Sequence, residues 1–326
     1  MRHWRSMNPL SILLLPLAGL FWFAMSLRRR MYTHGWLDSI QLGVPVIVVG
    51  NITAGGTGKT PLVIALVKSL QQRGYRPGVV SRGYGGTADR PKLVTPDSDP
   101  RSVGDEPVLI AWKTRAPVAV GRDRVAAARL LLVHSPGIDL ILSDDGLQHY
   151  RLGRDLELAV VDGDVGLGNG LPIPAGPLRE PASRLKSVDA VIVTCRHGQP
   201  CRFHLDHQRV MEVRHGPGQL FRLRNEAERK SPHQAFSGSV DAVAGIAQPE
   251  NFFKLLRDYG LNIHPYPFPD HHDFTIADLD HDRPVVMTEK DAVKCRKFAR
   301  PDWWALEWDA YPGDELTEWL AEAIRR

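Results

Sequence analysis

VIVVGNITAGGTGKTP, residues 46–61, decides the reading of this chain of 326 residues. Val46, Ile47, Val48 and Val49 form an apolar run without polar alternation, the pattern of a strand covered on both faces. A turn rich in glycine follows, with Gly55, Gly56 and Gly58, and then a stretch that forms helix from Thr60 onward. Strand, tight turn and helix N-terminus together aim backbone N–H groups and the positive end of a helix dipole at one point. That arrangement binds phosphate. In such loops the Lys of GK[ST] reaches the β and γ phosphates of ATP, and the hydroxyl after it ligates Mg²⁺. Here these are Lys59 and Thr60, and the expected nucleotide contacts are Thr53, Ala54, Gly55, Gly56, Thr57, Gly58, Lys59 and Thr60. One position departs from GxxxxGK[ST]: its first Gly is Thr53. The strand before and the helix after the turn carry the assignment.

Working outward, short runs rich in Val, Ile and Leu recur at 45–50, 78–81, 117–121, 139–143, 157–162 and 189–194, with helical stretches between them such as 60–72 and 122–134. Alternating strands and helices predict an α/β fold, a doubly wound parallel sheet of the P-loop NTPase kind. Between 196 and 237 the pattern dissolves into polar, basic and His-rich sequence, which places a domain junction there. A second, smaller α/β unit is expected beyond it, with strands at 240–246, 284–288 and 304–308, a helix at 249–259 and a closing helix at 314–326. The expected division is 1–30, 31–204 and 205–326. At ~100–200 residues per domain, the length suits two folded domains.

Apolar residues make up 43% of the chain, enough for sizeable cores, so wholesale disorder is excluded. The net charge of +4 is compatible with an anionic partner or a membrane surface and demands neither. The cysteines Cys195, Cys201 and Cys295 form no CxxC pair, which argues for a reducing compartment and against a disulfide framework or a zinc site. The N-terminus is more telling. PLSILLLPLAGLFWFAMS, residues 9–26, carries no charge; Arg2, His3 and Arg5 precede it, and Arg28, Arg29 and Arg30 follow. The leading expectation is a membrane helix, spanning or half-embedded. A cleaved secretory signal and a buried core helix are the other readings. The heavier basic flank lies after the segment, leaving the rest of the chain in the cytoplasm.

Several motifs fall where strands end. Asp144 and Asp145 follow the run 140–143, at the ligand edge of a parallel sheet, where a metal is held; an acidic turn is the plain alternative. GDEP, residues 104–107, and DHHD, residues 270–273, offer carboxylates and imidazoles for taking a proton from an attacking hydroxyl. Each also reads as a helix cap or a surface loop, and spacing alone does not bring them together. SRGYGG, residues 81–86, puts Arg82 and Tyr84 on a glycine-rich loop suited to an anionic, sugar-like ligand. TEKD, residues 288–291, follows another strand and reads equally as a capped turn.

With these motifs in order, the chain resembles the tetraacyldisaccharide 4'-kinase family, the lipid A 4'-kinases of Gram-negative bacteria. The resemblance rests on GNITAGGTGKTP at 50–61, SRGYGG at 81–86, GDEP at 104–107, SDDGLQH at 143–149, PAGPLREP at 174–181, FPDHHDF at 268–274 and TEKDAVK at 288–294. It accounts for Thr53, since the family carries Thr at that position. It implies two α/β domains with the site in their cleft. It also implies an ATP- and Mg²⁺-dependent kinase acting on the 4'-hydroxyl of a tetraacyl glucosamine disaccharide 1-phosphate, giving lipid IVA at the cytoplasmic face of the inner membrane. The implied partners are that lipid and the membrane surface, with no nucleic acid. The implied roles are Asp105 as catalytic base, paired with His271 or else His272, beside Lys59. Thr60, Glu106, Asp144 and Asp145 would serve the metal; Arg82, Tyr84 and Gln148 would serve the acceptor. Two rivals come from other classes. A partitioning-type ATPase would carry a signature Lys where this chain has Ala54, and a nucleotide-binding regulatory module would lack acceptor chemistry.

Overall fold

The computed structural model describes residues 4, 6–233 and 235–325. The basic flank at Arg2, His3 and Arg5 and the last residue of the closing helix lie outside the described residues. The chain begins with α1 (Pro9–Leu13) and α2 (Leu15–Thr33). It continues through β1 (Val46–Gly50), α3 (Lys59–Gln72), β2 (Pro77–Ser81), β3 (Lys92–Val94), α4 (Pro100–Val103), α5 (Asp105–Thr114), β4 (Val118–Val120), α6 (Arg124–His134), β5 (Leu140–Asp144), β6 (Leu156–Asp162) and β7 (Ala190–Arg196). Then follow β8 (Val210–Arg222), β9 (Asn225–Lys230), β10 (Val240–Ala244), α7 (Pro249–Asp258), β11 (Ile263–Pro267), β12 (Val285–Thr288), α8 (Glu289–Cys295), β13 (Trp303–Tyr311) and α9 (Asp314–Arg325).

All the strands join one sheet, ordered β11-β10-β12-β13-β8-β7-β6-β1-β5-β2-β4-β3, with β9 on β8. The central strand β1 is fully buried. Its alternate residues face opposite layers: Ile47 and Val49 pack with Leu62 and Leu66 of α3 and Ile110 of α5. Val46 and Val48 pack with Val125 and Ala128 of α6. Helices on both faces explain why these strands read as unbroken apolar runs. The polar stretch that reads as a junction holds the long strand β8. Its first residues run parallel to β7, and its later ones run antiparallel to β13. One strand thus carries the sheet from the phosphate-loop half into the second half. The period-2 signal of β8 is faint because much of its side-chain surface is only partly covered, and β9 (NEAERK) is an edge strand of polar residues.

The expected membrane-spanning helix is not formed. No helix among the described residues is long and apolar enough to cross a membrane. The segment breaks at Leu14 between α1 and α2, beside Pro16, and the uncharged part of α2 ends at Leu27. At ~1.5 Å per residue that part covers about 20 Å, against about 30 Å of bilayer hydrocarbon. Arg28, Arg29 and Arg30 fall inside α2, and the first two reach the body: Arg28 donates to the Gln148 carbonyl at 3.2 Å and Arg29 to the Ser187 hydroxyl at 2.7 Å. The expectation against disulfides is corrected as well. Cys201 folds back onto the end of β7 and pairs with Cys195, their Cα atoms 5.5 Å apart, while Cys295 is free and buried. A separation of six positions is enough to close that loop, which spacing without a CxxC signature did not disclose.

Candidate active site

The phosphate loop leaves β1 and is braced from two sides. Ala54 N–H donates to the Pro177 carbonyl at 2.7 Å and Arg179 N–H to the Ile52 carbonyl at 2.7 Å, so the PAGPLREP segment backs the loop. Thr194, at the end of β7, donates its hydroxyl to the Thr57 carbonyl at 2.9 Å. Gly55 and Gly58 adopt left-handed backbones, φ 124° and 74°, which a side chain would strain. Thr53 is not among the residues of positive φ, so the backbone accepts a Cβ where GxxxxGK[ST] has Gly. A cavity of about 970 Å³ opens beside Thr60 and Pro61 and reaches Lys290 and Trp308 in the second half. A second, of about 550 Å³, lies against Thr53, Ala54, Gly55, Gly56 and Thr57.

At the start of α3, Lys59 lies 3.5 Å from Asp145, and Arg179 holds the same carboxylate at 3.1 Å. Burial alone would push the Asp145 carboxyl up, but Lys59 and Arg179 outweigh it and hold it below the usual carboxylate range. Its neighbour Asp144 goes the other way. Complete burial, then the charges of Glu106 and Asp145, push it well above that range. Asp144 Oδ1 is buried with no hydrogen-bond partner among the described residues. An orphaned carboxylate oxygen followed in the chain by a second Asp, with the buried Thr60 at the start of α3, is an all-oxygen donor set that suits a hard cation such as Mg²⁺. Glu106, Asp144 and Asp145 do not themselves close into a cluster. Among the described residues, the one group of three His, Cys, Asp or Glu side chains within 4.8 Å of one another is Cys195, Cys201 and Glu212, and its two sulfurs are already joined as the disulfide.

The residues expected to handle a proton come from both halves of the sheet. Gly104 begins α5 at φ 89°, and a Cβ there would sit 2.6 Å from the Tyr84 carbonyl oxygen, so SRGYGG and GDEP are packed backbone to backbone. This close approach fixes Asp105 and Glu106 in the first turn of α5. From the loop after β11, His271 Nδ1 reaches Asp105 Oδ2 at 3.0 Å. His272 instead faces Asp278 at 3.4 Å, its ring packed against both Phe268 and Phe274. Burial would raise the Asp105 carboxyl, but the hydrogen bond and charge of His271, helped by Lys290 and Lys294, hold it low. The hydrogen bond to Asp105 in turn lifts the His271 imidazole above its ordinary value. A low carboxylate within hydrogen-bond reach of an imidazole is an acceptor for one proton, with a neighbour to share it.

Tyr84 is exposed, its ring centroid 5.8 Å from that of His271, and Arg82 is exposed on the same loop. Gln148 is differently engaged. Its amide donates to the Asn51 carbonyl at 3.0 Å and to Glu180 Oε1 at 2.8 Å, bracing the loop. Sequence reasoning assigned no role to Arg179, Arg124 or Lys290. Arg179 stands within PAGPLREP, and its place beside Asp145 had no local signal. Arg124, almost fully buried at the start of α6, donates to the Asp144 carbonyl at 3.2 Å. A basic residue one turn past a strand end was the only hint.

Residues 10–325 match the family described as tetraacyldisaccharide-1-P 4'-kinase. The chain belongs to that family. It is 51% identical to the tetraacyldisaccharide 4'-kinase of Thiobacillus denitrificans over 98% of this chain and 97% of that one. It is 49% identical to the enzyme of the same name from Nitrosococcus oceani, over 100% of this chain and 95% of the relative. Among solved structures it resembles LpxK from Aquifex aeolicus, described as an "apo" form in complex with ATP, with TM-score 0.81, 26% identity and coverage of 97% and 99%. The family and this likeness place the α/β fold and the kinase class together; the partitioning-ATPase and regulatory-module readings fall away.

Proposed function

We infer that this family member is an ATP-dependent kinase that phosphorylates the 4'-hydroxyl of a tetraacyl glucosamine disaccharide 1-phosphate. The observation that carries the reading is the Asp105–His271 pair, built from opposite halves of the sheet, one residue from Glu106, whose partner Lys290 lines the cavity beside Thr60. Asp105 accepts the proton of the attacking hydroxyl, and His271 orients the carboxylate and shares the charge that develops. The hydroxyl oxygen forms a bond to the γ phosphorus as the bond to the β–γ bridging oxygen breaks, leaving ADP. Lys59 stabilises charge on the β and γ phosphates once freed from Asp145. Thr60, Asp144 and Asp145, with Glu106, would hold Mg²⁺, which when bound neutralises phosphate charge. Arg82 and Tyr84, exposed at the cleft mouth, are assigned to the acceptor. Gln148 supports the loop rather than the acceptor. In this reading residues 31–204 form the nucleotide-binding unit and 205–326 the unit that closes the cleft.

Association with the membrane surface, at the cytoplasmic face of the inner membrane, is part of the same reading. Its support is the exposed apolar row of Leu13, Leu17, Leu20 and Phe23 beside the basic residues of α2. Such a helix pair suits lying in the interface. The deciding experiment supplies labelled ATP with a purified tetraacyl disaccharide 1-phosphate in detergent. Label on the lipid is expected; hydrolysis of ATP without labelled lipid would rule the kinase out.

A further inference from the structure

Lys290 plays no part in the mechanism above. It is the second residue of α8, just past the C-terminal end of β12. That turn is rigidly held. Thr288 accepts from the Asp291 N–H at 3.2 Å and donates to Asp291 Oδ2 at 2.7 Å, and the same carboxylate oxygen accepts from the Gly245 N–H at 3.0 Å. Asp291 is fully buried and also pairs with Lys294 at 2.8 Å. From this anchored turn the Lys290 ammonium crosses the cleft and donates to Glu106 Oε1.

The two adjacent carboxylates at the start of α5 are therefore held in the same way. Asp105 is met by His271 from the loop after β11, and Glu106 by Lys290 from the turn after β12. Glu106 also lies close enough to Asp144 for its charge to raise the proton affinity of that carboxyl. Lys290 and Thr60 line the same cavity. The Lys290 and Glu106 side chains are 38% and 34% exposed. An ion pair that wet adds little to stability, so its value lies in where it holds Glu106.

We propose that Lys290 is a positioning residue for phosphoryl transfer: it holds Glu106, and through it the first turn of α5, in place across the cleft, and yields Glu106 when the metal–nucleotide complex binds. The proposal rests on the kinase reading of this cleft and adds a residue to it. Lys59 is tied to Asp145 within the phosphate-loop half, whereas Lys290 reaches Glu106 from the second half.

The test uses the full chain and three proteins: wild type, Lys290→Met, which keeps the aliphatic stem, and Lys290→Arg. For Lys290→Met, kcat is expected to fall ~10–10²-fold with the KM for ATP changed less than ~3-fold, since misplacement of about 1 Å costs that much in rate. Lys290→Arg is expected to recover most of the loss. A second readout needs no turnover. Titration of Mn²⁺ with ADP bound should show tighter metal binding by Lys290→Met, because Glu106 no longer has an ammonium to leave. Unchanged kcat and Mn²⁺ affinity in Lys290→Met would overturn the proposal. So would a loss confined to the KM for ATP, which would make Lys290 a phosphate-binding cation, or a lowered Tm that Lys290→Arg fails to restore. Wild type that transfers no phosphate to the lipid fails differently: it removes the kinase reading itself.

Discussion

His271 holds a left-handed backbone, φ 59°, unusual for a residue with a side chain, and so does Asp145, φ 50°. Both sit on the cleft, where such strain is kept only if the surroundings impose it. The Asp105–His271 contact makes the two side chains act as one unit, and losses should then be non-additive. Asp105→Ala is expected to lower kcat by ~10²–10⁴-fold, and His271→Ala by less, because a carboxylate still accepts the proton. The double variant should be little worse than Asp105→Ala; fully multiplicative losses in a double-mutant cycle would separate the pair. The same contact has a pH signature in stability. Asp105 is held below its ordinary 3.8, so its share is present above that value and is lost as pH falls through the folded value. His271 is raised above 6.5, so its share is complete below 6.5 and is lost as pH rises through the folded value. The Tm gap between wild type and His271→Gln should thus be widest between those two ordinary values and close on the alkaline side. A gap that grows with pH would contradict the pairing.

The first turn of α5 is the element on which the chemistry hangs, and Gly104 sets its entry. An Ala there would meet the Tyr84 carbonyl at 2.6 Å in a left-handed backbone. The backbone term alone costs about 1–2 kcal/mol, and relief of the clash must move Asp105. Gly104→Ala is expected to lower both Tm and kcat; a protein of normal Tm and normal kcat would show that the close approach is unimportant. The N-terminal helices obey a different rule. Leu20 and Phe23 are 67% and 65% exposed, so replacing both with Ser removes little packing. Co-sedimentation of that double variant with anionic vesicles should drop while its Tm stays unchanged. Sedimentation equal to wild type would mean that α2 does not meet the bilayer.

Across the whole molecule, the two halves are joined by more than the sheet. Lys113, near the end of α5, is 9% exposed and sits 2.5 Å from Glu289 of α8, with Glu307 and Asp309 of β13 each at 3.4 Å. Burial works against this ammonium, but the three carboxylates outweigh it and raise its affinity for the proton. Lys113→Met would leave the buried Glu289 carboxylate without its cation. Breaking a buried pair in this way costs about 3–5 kcal/mol, to be read as a lower midpoint in urea. Loss below 1 kcal/mol would show that solvent already screens the cluster.

Local sequence determined what local contacts can hold. Residues 46–61 specify strand, turn and helix because each of those hydrogen bonds and apolar contacts lies within one βα unit. The motifs likewise placed Lys59, Thr60, Asp144 and Asp145 at the ligand edge, since a strand's end is visible in the apolar run before it. The spanning helix failed at the same scale, because hydropathy registered the apolar content but not the break at Leu14. Tertiary structure alone decided the partners. Asp105 and His271 are 166 residues apart in the chain, and Glu106 and Lys290 are 184 apart. Their meeting depends on strand order and on β8 carrying one sheet through a stretch with little apolar pattern. No periodicity encodes which strand end faces which helix; that is fixed only when the sheet closes its ladder and the buried faces on either side choose their neighbours.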